Sequence, residues 1–577
     1  MKLKFFFLLL LTLYIVNCSL NSEAQATVRY VSKTGSNTPP YTTWQTAATS
    51  IQLCINYSSN IDTIYVANGI YQESLIVNKY LWIIGSSMDS TVIDGTGLAD
   101  ITIDFQSDGL IQNFYVKGKG YAIPNTTSIN VVLKNANIFN CKLSNSYVGI
   151  GLVYSSSLID QCIITNVVDG YATYCDIDTC SPKLKNTLIN LINNSGIAVV
   201  LGTGRNITAN SILFGNHNAS KGIGGVFNPT VNEITNNSAI GFRRNIDGIS
   251  SDTAIVENNI SSYASERGYT INSNTNMRNN ISAYNEVGIV GPTSTNSDYN
   301  LYWLNNTNTT DQLAEHDIVA DPMFVNDTIP VYGGNFDYHL QKYSPAIDSG
   351  DPNILDVDGT RSDIGAYGGV LGQSYKYQDL PPKAPKNFQA SYDSGIVSIS
   401  WDKNSAADFS YYNIYRSTIN NFEPDSTNYY SIVDTAFIRD TTTITNGKLY
   451  YRITAVDSCG NESVPGEQIT VTITAINDGE VEIVGEYKLY QNFPNPFNPT
   501  TIIPFKLKER AYVKVMVYDI KGEMLKVLVN ETKEAGYYEA EFNGSGFASG
   551  IYLYRIEVIG QGTIPVYMEM KKMILIK

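Results

Sequence analysis

The sequence predicts an all-β chain in which a parallel β-helix solenoid is followed by two small β-sandwich domains. Three observations predict this. The 577 residues include 41 tyrosines and 44 glycines and only 16% are charged, a composition suited to pleated, half-buried surfaces. Between residues 101 and 305, short apolar segments recur around one polar position, held in turn by Asn113, Asn140, Gln161, Asn186, Asn210, Asn236, Asn258, Asn279 and Tyr299, at spacings of 20 to 27 residues. A second ladder follows about ten residues later, on Gly120, Gly149, Gly170, Gly196, Gly222, Gly248, Gly268 and Gly288, each before an apolar or aromatic residue.

The recurring segments are short, β-branched or aromatic, and separated by Asn, Gly and Ser, so they read as strands rather than helices. A repeat of about 23 residues holding three short strands is one coil of a parallel β-helix, in which each coil buries its apolar side chains against the next. An inward Asn at a tight corner is expected to bond the Asn one coil away. Gly is expected where the backbone needs positive φ. Cys141 and Cys162 fall at equivalent positions on consecutive coils, which predicts an internal stack rather than redox chemistry.

Taken from the N-terminus, Lys2 and Lys4 precede the apolar run Phe5–Val16, and Ala24 and Ala26 form a small-residue site. This predicts a cleaved signal peptide over 1–26. The run is too short to span a bilayer comfortably, and Asn17 before Cys18 does not suit a lipoprotein signal. No second apolar segment is long enough to cross a membrane, so no transmembrane anchor is expected. The stretches DTIYVANGIYQESLIV and LWIIGSSMDSTVIDG resemble the opening of pectate-lyase-like β-helix proteins. That resemblance implies a right-handed solenoid over 27–372, capped by a short amphipathic helix around Trp44–Asn56 that covers the apolar end. The segment from Ile318 to Gly369 resembles the closing segment of such proteins.

Beyond the proline-rich LPPKAPKNF, residues 384–475 resemble a fibronectin type III domain, with Trp401 as the buried core aromatic. Residues 487–577 carry QNFPNPFNPT, then VKVMVYDIKGEMLKVL, then GFASGIYLYRI and a basic, apolar terminus. Several ordered motifs thus agree with the type A C-terminal sorting domain of the type IX secretion system. The resemblance implies export to the cell surface or medium, and the secretion machinery as a partner.

A formal charge of −15 and a pI near 4.8 argue against a nucleic-acid partner, because such binding rests on neutralising phosphates with Lys and Arg. Six cysteines remain after signal removal, too few for a disulfide scaffold; Cys175 and Cys180 are close enough to close a small loop outside the cell. Cys459 reads as a buried small hydrophobe. Histidine is confined to His217, His316 and His339, and no HExxH, CxxC or phosphate-cradling loop occurs.

Two carbohydrate-enzyme constellations are worth weighing. NIDGIS at 245–250 resembles the first Asn-x-Asp motif of polygalacturonase-like hydrolases, but the Asp pair expected one coil on is replaced by Ser265-Glu266, and no Gly-His-Gly is present. The glycine ladder gives Asp247 a simpler reading, as an outward corner residue. For lyase chemistry, Arg243, Arg244, Arg267 and Arg278 gather on the later coils beside Glu266, Tyr263 and Tyr269. A lyase needs a base to remove a proton beside a uronate carboxylate, with calcium carboxylates assisting. The candidate catalytic set is therefore Asp247, Glu266, Arg244, Arg267 and Tyr269. In the Asp-rich turn after Ser349, Asp351, Asp356, Asp358 and Asp363 form a candidate Ca2+ group, although Asp-Gly turns account for them without metal. Two functional readings stand: a binder of extracellular polysaccharide or surface glycan without catalysis, and a polysaccharide lyase or glycoside hydrolase.

Overall fold

The computed structural model describes residues 26–120, 128–153, 155–174, 181–191, 196–201, 205–215, 219, 221–225, 231–247, 253–328, 334–393, 395–441, 447–473, 487–559 and 565–576. Residues 1–25 of the expected signal peptide, the Cys175–Cys180 loop, His217 and Gly248 lie outside them. The chain divides into two compact units, Met1–Ser391 with Ser398–Arg439 and Leu449–Thr470, and Tyr392–Val397 with Asp440–Lys448 and Val471–Lys577.

The first unit is dominated by a parallel solenoid, as the repeat predicts. One face is a twelve-stranded sheet that starts at Val28–Val31 and ends at Ser297–Asp298. Two further columns of strands count as a single 21-stranded sheet, because two twelve-residue strands, Lys142–Val153 and Ile163–Tyr174, run through the corner between them. Among the described residues the strand pairings between coils are parallel, for example Val231–Thr235 with Thr253–Glu257. Alternation points Ile64, Ile83, Ile111, Ile138, Ile159 and Leu184 inward, where each is fully buried in one continuous core.

The asparagine ladder takes a form that the repeat only half reveals. Asn113, Asn140, Gln161, Asn186, Asn210, Asn236, Asn258, Asn279 and Tyr299 all have φ between 46° and 64°. Asn is the non-glycine residue that tolerates this left-handed region best, so these positions turn the corner. They do not face the core. The inward step is one residue later, at Phe114, Cys141, Cys162, Thr187, Ser211, Asn237, Asn259, Asn280 and Asn300, all buried. From Asn237 onward the side chains form an amide ladder: Asn237 Nδ2 donates to Asn259 Oδ1 at 3.1 Å, Asn259 to Asn280 at 3.0 Å and Asn280 to Asn300 at 3.0 Å. Burial pushes the Cys141 thiol up to about 12, which fits the expected inert stack.

The glycine ladder is also reassigned. Of its described members only Gly120 has positive φ. Gly149, Gly170, Gly222, Gly268 and Gly288 are small because a Cβ would stand 2.4–2.6 Å from a carbonyl oxygen of the next coil. Strand register further places Ala198, not Gly196, and Asn245 at this step, since Lys221 pairs with both Ile197 and Arg244. Coil lengths vary, so matching each coil at its nearest glycine slips the alignment.

At the N-terminal end the helix is shorter than expected, Ile51–Tyr57 rather than Trp44–Asn56. Ser50 caps it by accepting from Leu53 N, and the Glu73 carboxylate accepts from Ile51 N and Gln52 N. Upstream, Ala48 bridges to Val31 and so cannot be helical. At the other end the corner asparagines of the last coils hold the closing segment: Asn236 Nδ2 donates to Ala366 O at 3.0 Å, and Asn258 Nδ2 to Asp363 O at 2.8 Å.

Small antiparallel sheets follow. In the first unit Phe409–Ser417 pairs with Tyr429–Val433 and with Gly447–Asp457, and buried Trp401 packs edge-on against Tyr412 at 5.1 Å. Cys459, expected to be buried, is exposed on a turn whose amides bond to Asp457. In the second unit a three-stranded and a four-stranded sheet enclose one core, in which Ile503 and Phe505 meet Val515, Tyr554 and Ile556.

Candidate functional site

The third strand column carries the chemistry suggested by the sequence. Its outward row sets Lys221, Arg244 and Arg267 in register on consecutive coils, about 4.8 Å apart by the spacing of paired strands. Asp247 sits beside this row and is only 3% exposed. Lys221 Nζ approaches Asp247 Oδ2 at 2.9 Å and Arg244 Nη1 approaches it at 3.3 Å. Arg244 Nε donates to Glu266 Oε2 at 2.8 Å, and Arg243 Nε donates to Glu266 Oε1 at 2.8 Å. The result is one chain of alternating charge, Lys221–Asp247–Arg244–Glu266–Arg243.

Burial alone would raise the Asp247 carboxyl, but the Thr270 hydroxyl and the Lys221 and Arg244 cations outweigh it and hold it below the ordinary carboxylate range. Glu266 is lowered by its bonds to Arg244 and then Arg243. The bond to Glu266 raises Arg244 in turn, so that its charge is held more firmly. The carboxyl on this column that burial does raise is Asp169, three coils before Asp247, whose Oδ1 accepts from Ile197 N at 2.8 Å.

Three of the five sequence-predicted residues, Arg244, Asp247 and Glu266, therefore come together, and Arg267 lines up with Arg244. Tyr269 does not join them. It is fully buried in the solenoid core, with its hydroxyl donating to Ile281 O at 3.1 Å. Where it is described, the residue after the glycine step points inward, as Ile150, Ile223, Ile246 and Ile289 also do. The reading of Asp247 as an outward corner residue is corrected as well. It lies within the strand Arg244–Asp247 and pairs with Gly224.

Beside the ion pairs runs a groove of about 320 Å3 lined by Tyr263, Ser265, Tyr284, Asn285, Glu286 and Asn306, among others. Tyr263 and Tyr284 stack at 4.8 Å with 17° between their rings. Both occupy the left-handed corner at φ 57° and 60°, where earlier coils use Asn145, Asn166 and Gly241. Holding tyrosine there costs backbone strain of about 1–2 kcal/mol per residue, and such strain is concentrated at functional sites. The Tyr284 hydroxyl donates to Asp327 Oδ2 at 2.6 Å, and Lys383 Nζ meets the same carboxylate at 2.7 Å. Glu286 accepts from Asn306 at 2.6 Å. Sequence reasoning missed Tyr284, Glu286 and Asn306. The departure from Asn or Gly at the corner is the one signal that marks the tyrosines.

The candidate calcium group has other partners. Asp351 is buried, bonds Asn353, and pairs with Arg278. Asp356 accepts from Asp363 N and Gly369 N, and Asp358 caps Thr360. Asp363 accepts from Asp348 N and the Tyr377 hydroxyl; burial raises it to about 6. These carboxylates thus act as caps and ion-pair partners in the closing segment. A separate trio, Asp379, Asp408 and Asp457, brings its oxygens within 4.8 Å of one another. Lys342 and Asn461 bond to Asp379, and Asn461 also bonds to Asp457.

Comparison with known proteins adds an address. Residues 491–565 match the family described as the secretion system C-terminal sorting domain, so the chain carries a type IX sorting domain and is exported. An amylopullulanase of Thermoanaerobacterium saccharolyticum is 39% identical over 104 residues, which are 17% of this chain and 8% of that protein. The chain thus spans under a tenth of the curated relative it matches. Among solved structures, pectate lyase Pel9A aligns at 13% identity with a TM-score of 0.34, covering 60% of this chain and 97% of its own. The FN1–FN3 domains of chicken CNTN1 align at 12% identity with a TM-score of 0.14, covering 34% of this chain and 67% of theirs. Among the described residues no helix is long and apolar enough to cross a membrane.

Proposed function

We propose that the solenoid of this exported protein binds extracellular saccharide without breaking it, using the outward face that carries Lys221, Arg244 and Arg267 and the adjoining tyrosine groove. One observation carries the reading: Asp247 and Glu266 are both held ionised, Asp247 by Thr270, Lys221 and Arg244 and Glu266 by Arg244 and Arg243. Glycoside hydrolysis needs one carboxyl raised toward neutrality to protonate the leaving group. Elimination needs a base that gives up its proton, and a guanidinium held more firmly charged is a poor one. The same charges suit recognition, because an acidic sugar meets cations already fixed in position and the stacked tyrosines supply apolar area beside them. The register of three cations on consecutive coils also favours the runner-up, a lyase acting on an acidic polysaccharide.

The full mature chain, incubated with polygalacturonate, alginate and neutral glucans, is expected to bind the acidic polymers in calorimetry while releasing no reducing ends or unsaturated products. Cleavage of any of them overturns the binder in favour of the enzyme. For export, removal of 487–577 is expected to leave the protein inside the outer membrane; surface display of the truncated chain would contradict the sorting role.

A further inference from the structure

We propose that the outer face of the first coils of the twelve-stranded sheet is a second binding platform, built for a neutral polysaccharide strand. It lies on a different face from the ion-paired column and does not rest on that reading. Tyr30 pairs with Tyr65, and Tyr65 with Ile84. In the parallel row Thr63, Trp82 and Leu110 follow one another. Asn137 and Phe139 continue the two rows opposite Leu110 and Gln112. Among the described residues, no outward position on these strands is charged from Val28 to Leu158. Asp160 is the first that is, and Lys183 and Lys185 follow it.

The strip is aromatic at its surface. Trp44 lies 4.5 Å from Tyr30, Tyr30 stacks on Tyr65 at 6.1 Å and 25°, and Tyr80 meets Trp82 edge-on at 6.4 Å. Trp44 and Trp82 are each 45% exposed and Tyr65 38%. A contiguous exposed apolar patch of this kind marks an interaction site.

Charge identifies the occupant. The strip offers no cation to an anionic sugar. A second copy of the chain would bring another formal charge of −15, and net self-repulsion opposes that association. A neutral pyranose chain meets neither obstacle. Its C–H faces pack against the rings, and its hydroxyl rim reaches Thr63, Gln112 and Asn137 beside them.

The test is native affinity electrophoresis of the full mature chain in gels holding hydroxyethyl cellulose, xyloglucan or mixed-linkage glucan, with polygalacturonate in a parallel gel. At least one neutral polymer is expected to retard the protein. The Tyr65→Ala/Trp82→Ala variant is expected to weaken that retardation by about tenfold or more, the loss that goes with about 1.4 kcal/mol of aromatic contact, while Trp82→Phe keeps most of it. Trp44→Ala, in a surface turn outside the strands, probes the same strip without touching the sheet if the double variant melts early. Three results overturn the proposal: no retardation by any neutral polymer, retardation unchanged in both Ala variants, or a dimer in light scattering that the Ala variants dissolve. If the unsubstituted protein is retarded by polygalacturonate but by no neutral polymer, this platform is removed and the ion-paired site stands.

Discussion

The early and late coils of the solenoid solve the same corner in different ways. At the inward step after each left-handed residue, the early coils place Phe114, Cys141 and Cys162, and the late ones Asn237, Asn259, Asn280 and Asn300. The carbonyl two residues back attracts the donor on several of these side chains. Cys141 and Cys162 reach it weakly at 3.4 Å, Thr187 at 2.7 Å, Ser211 at 2.9 Å and Asn259 at 3.0 Å. The Ser211 hydroxyl also accepts from Thr187 N of the preceding coil at 3.2 Å, and at Asn259 and Asn280 the side-chain oxygen accepts the side-chain amide of the preceding coil as well. The change from thiol through hydroxyl to amide is therefore a change toward side chains that bond one another along the axis. The outer face changes over the same stretch, from an uncharged aromatic strip to charged positions beginning at Asp160. One backbone geometry thus carries two surfaces of different chemistry.

The sharpest way to break this contrast is Asn259→Leu. Its amide donates to Ile234 O, Glu257 O and Asn280, and accepts from Asn237. Its loss strands several buried groups and is expected to cost about 3–4 kcal/mol, whereas Cys141→Ala is expected to cost about 1 kcal/mol. Urea unfolding of the two variants measures the difference, and equal losses would remove the coupled ladder.

Glycine tests what the two regions share. A Cβ on Gly149 would stand 2.5 Å from Gly170 O, and one on Gly268 would stand 2.6 Å from Gly288 O. Alanine at either site is expected to cost about 2 kcal/mol. A clear inequality between their unfolding midpoints would show that close approach is not common to both regions.

Next in size is the pH response of the closing segment. Asp363 is held up to about 6 by burial, with Asp356 and Asp348 adding to it against bonds from Asp348 N and Tyr377. Its unfolded value is about 3.9. A raised carboxyl favours folding below its unfolded value and loses that contribution as pH rises through the folded one. Stability is therefore expected to fall by roughly 1–2 kcal/mol between pH 4 and pH 7 from this group. Asp363→Asn should flatten that part of the melting-temperature profile; an unchanged slope would assign the response elsewhere. Asp247 has the opposite sign. Its folded value is depressed, so its contribution persists above the ordinary carboxylate range and is lost only as pH drops below it.

The smallest effect belongs to Arg243. It is half exposed, as the outer member of the Glu266 pair, and Arg243→Ala is expected to cost under about 0.5 kcal/mol, less at high salt. A loss above 1 kcal/mol at moderate salt would mean that the charge chain is more strongly coupled than its exposure indicates.

The sequence by itself determined the solenoid, because stacked coils write one structural position as a repeating residue. The corner asparagines can be read that way since few residues accept a left-handed backbone. It also determined the address, through ordered motifs in the last ninety residues. Only the tertiary structure decided the register. Coil lengths vary between 20 and 27 residues, so Asn245 holds the glycine step, Tyr269 turns into the core, and Asp247 meets Lys221 from the preceding coil. The aromatic strip was hidden for the same reason: Tyr30, Tyr65 and Trp82 lie far apart along the chain and become neighbours only when parallel strands bring them within one sheet spacing. Residues along a coil are fixed by local backbone preference, but contacts along the axis depend on how successive coils align, and one residue of slip exchanges inside for outside.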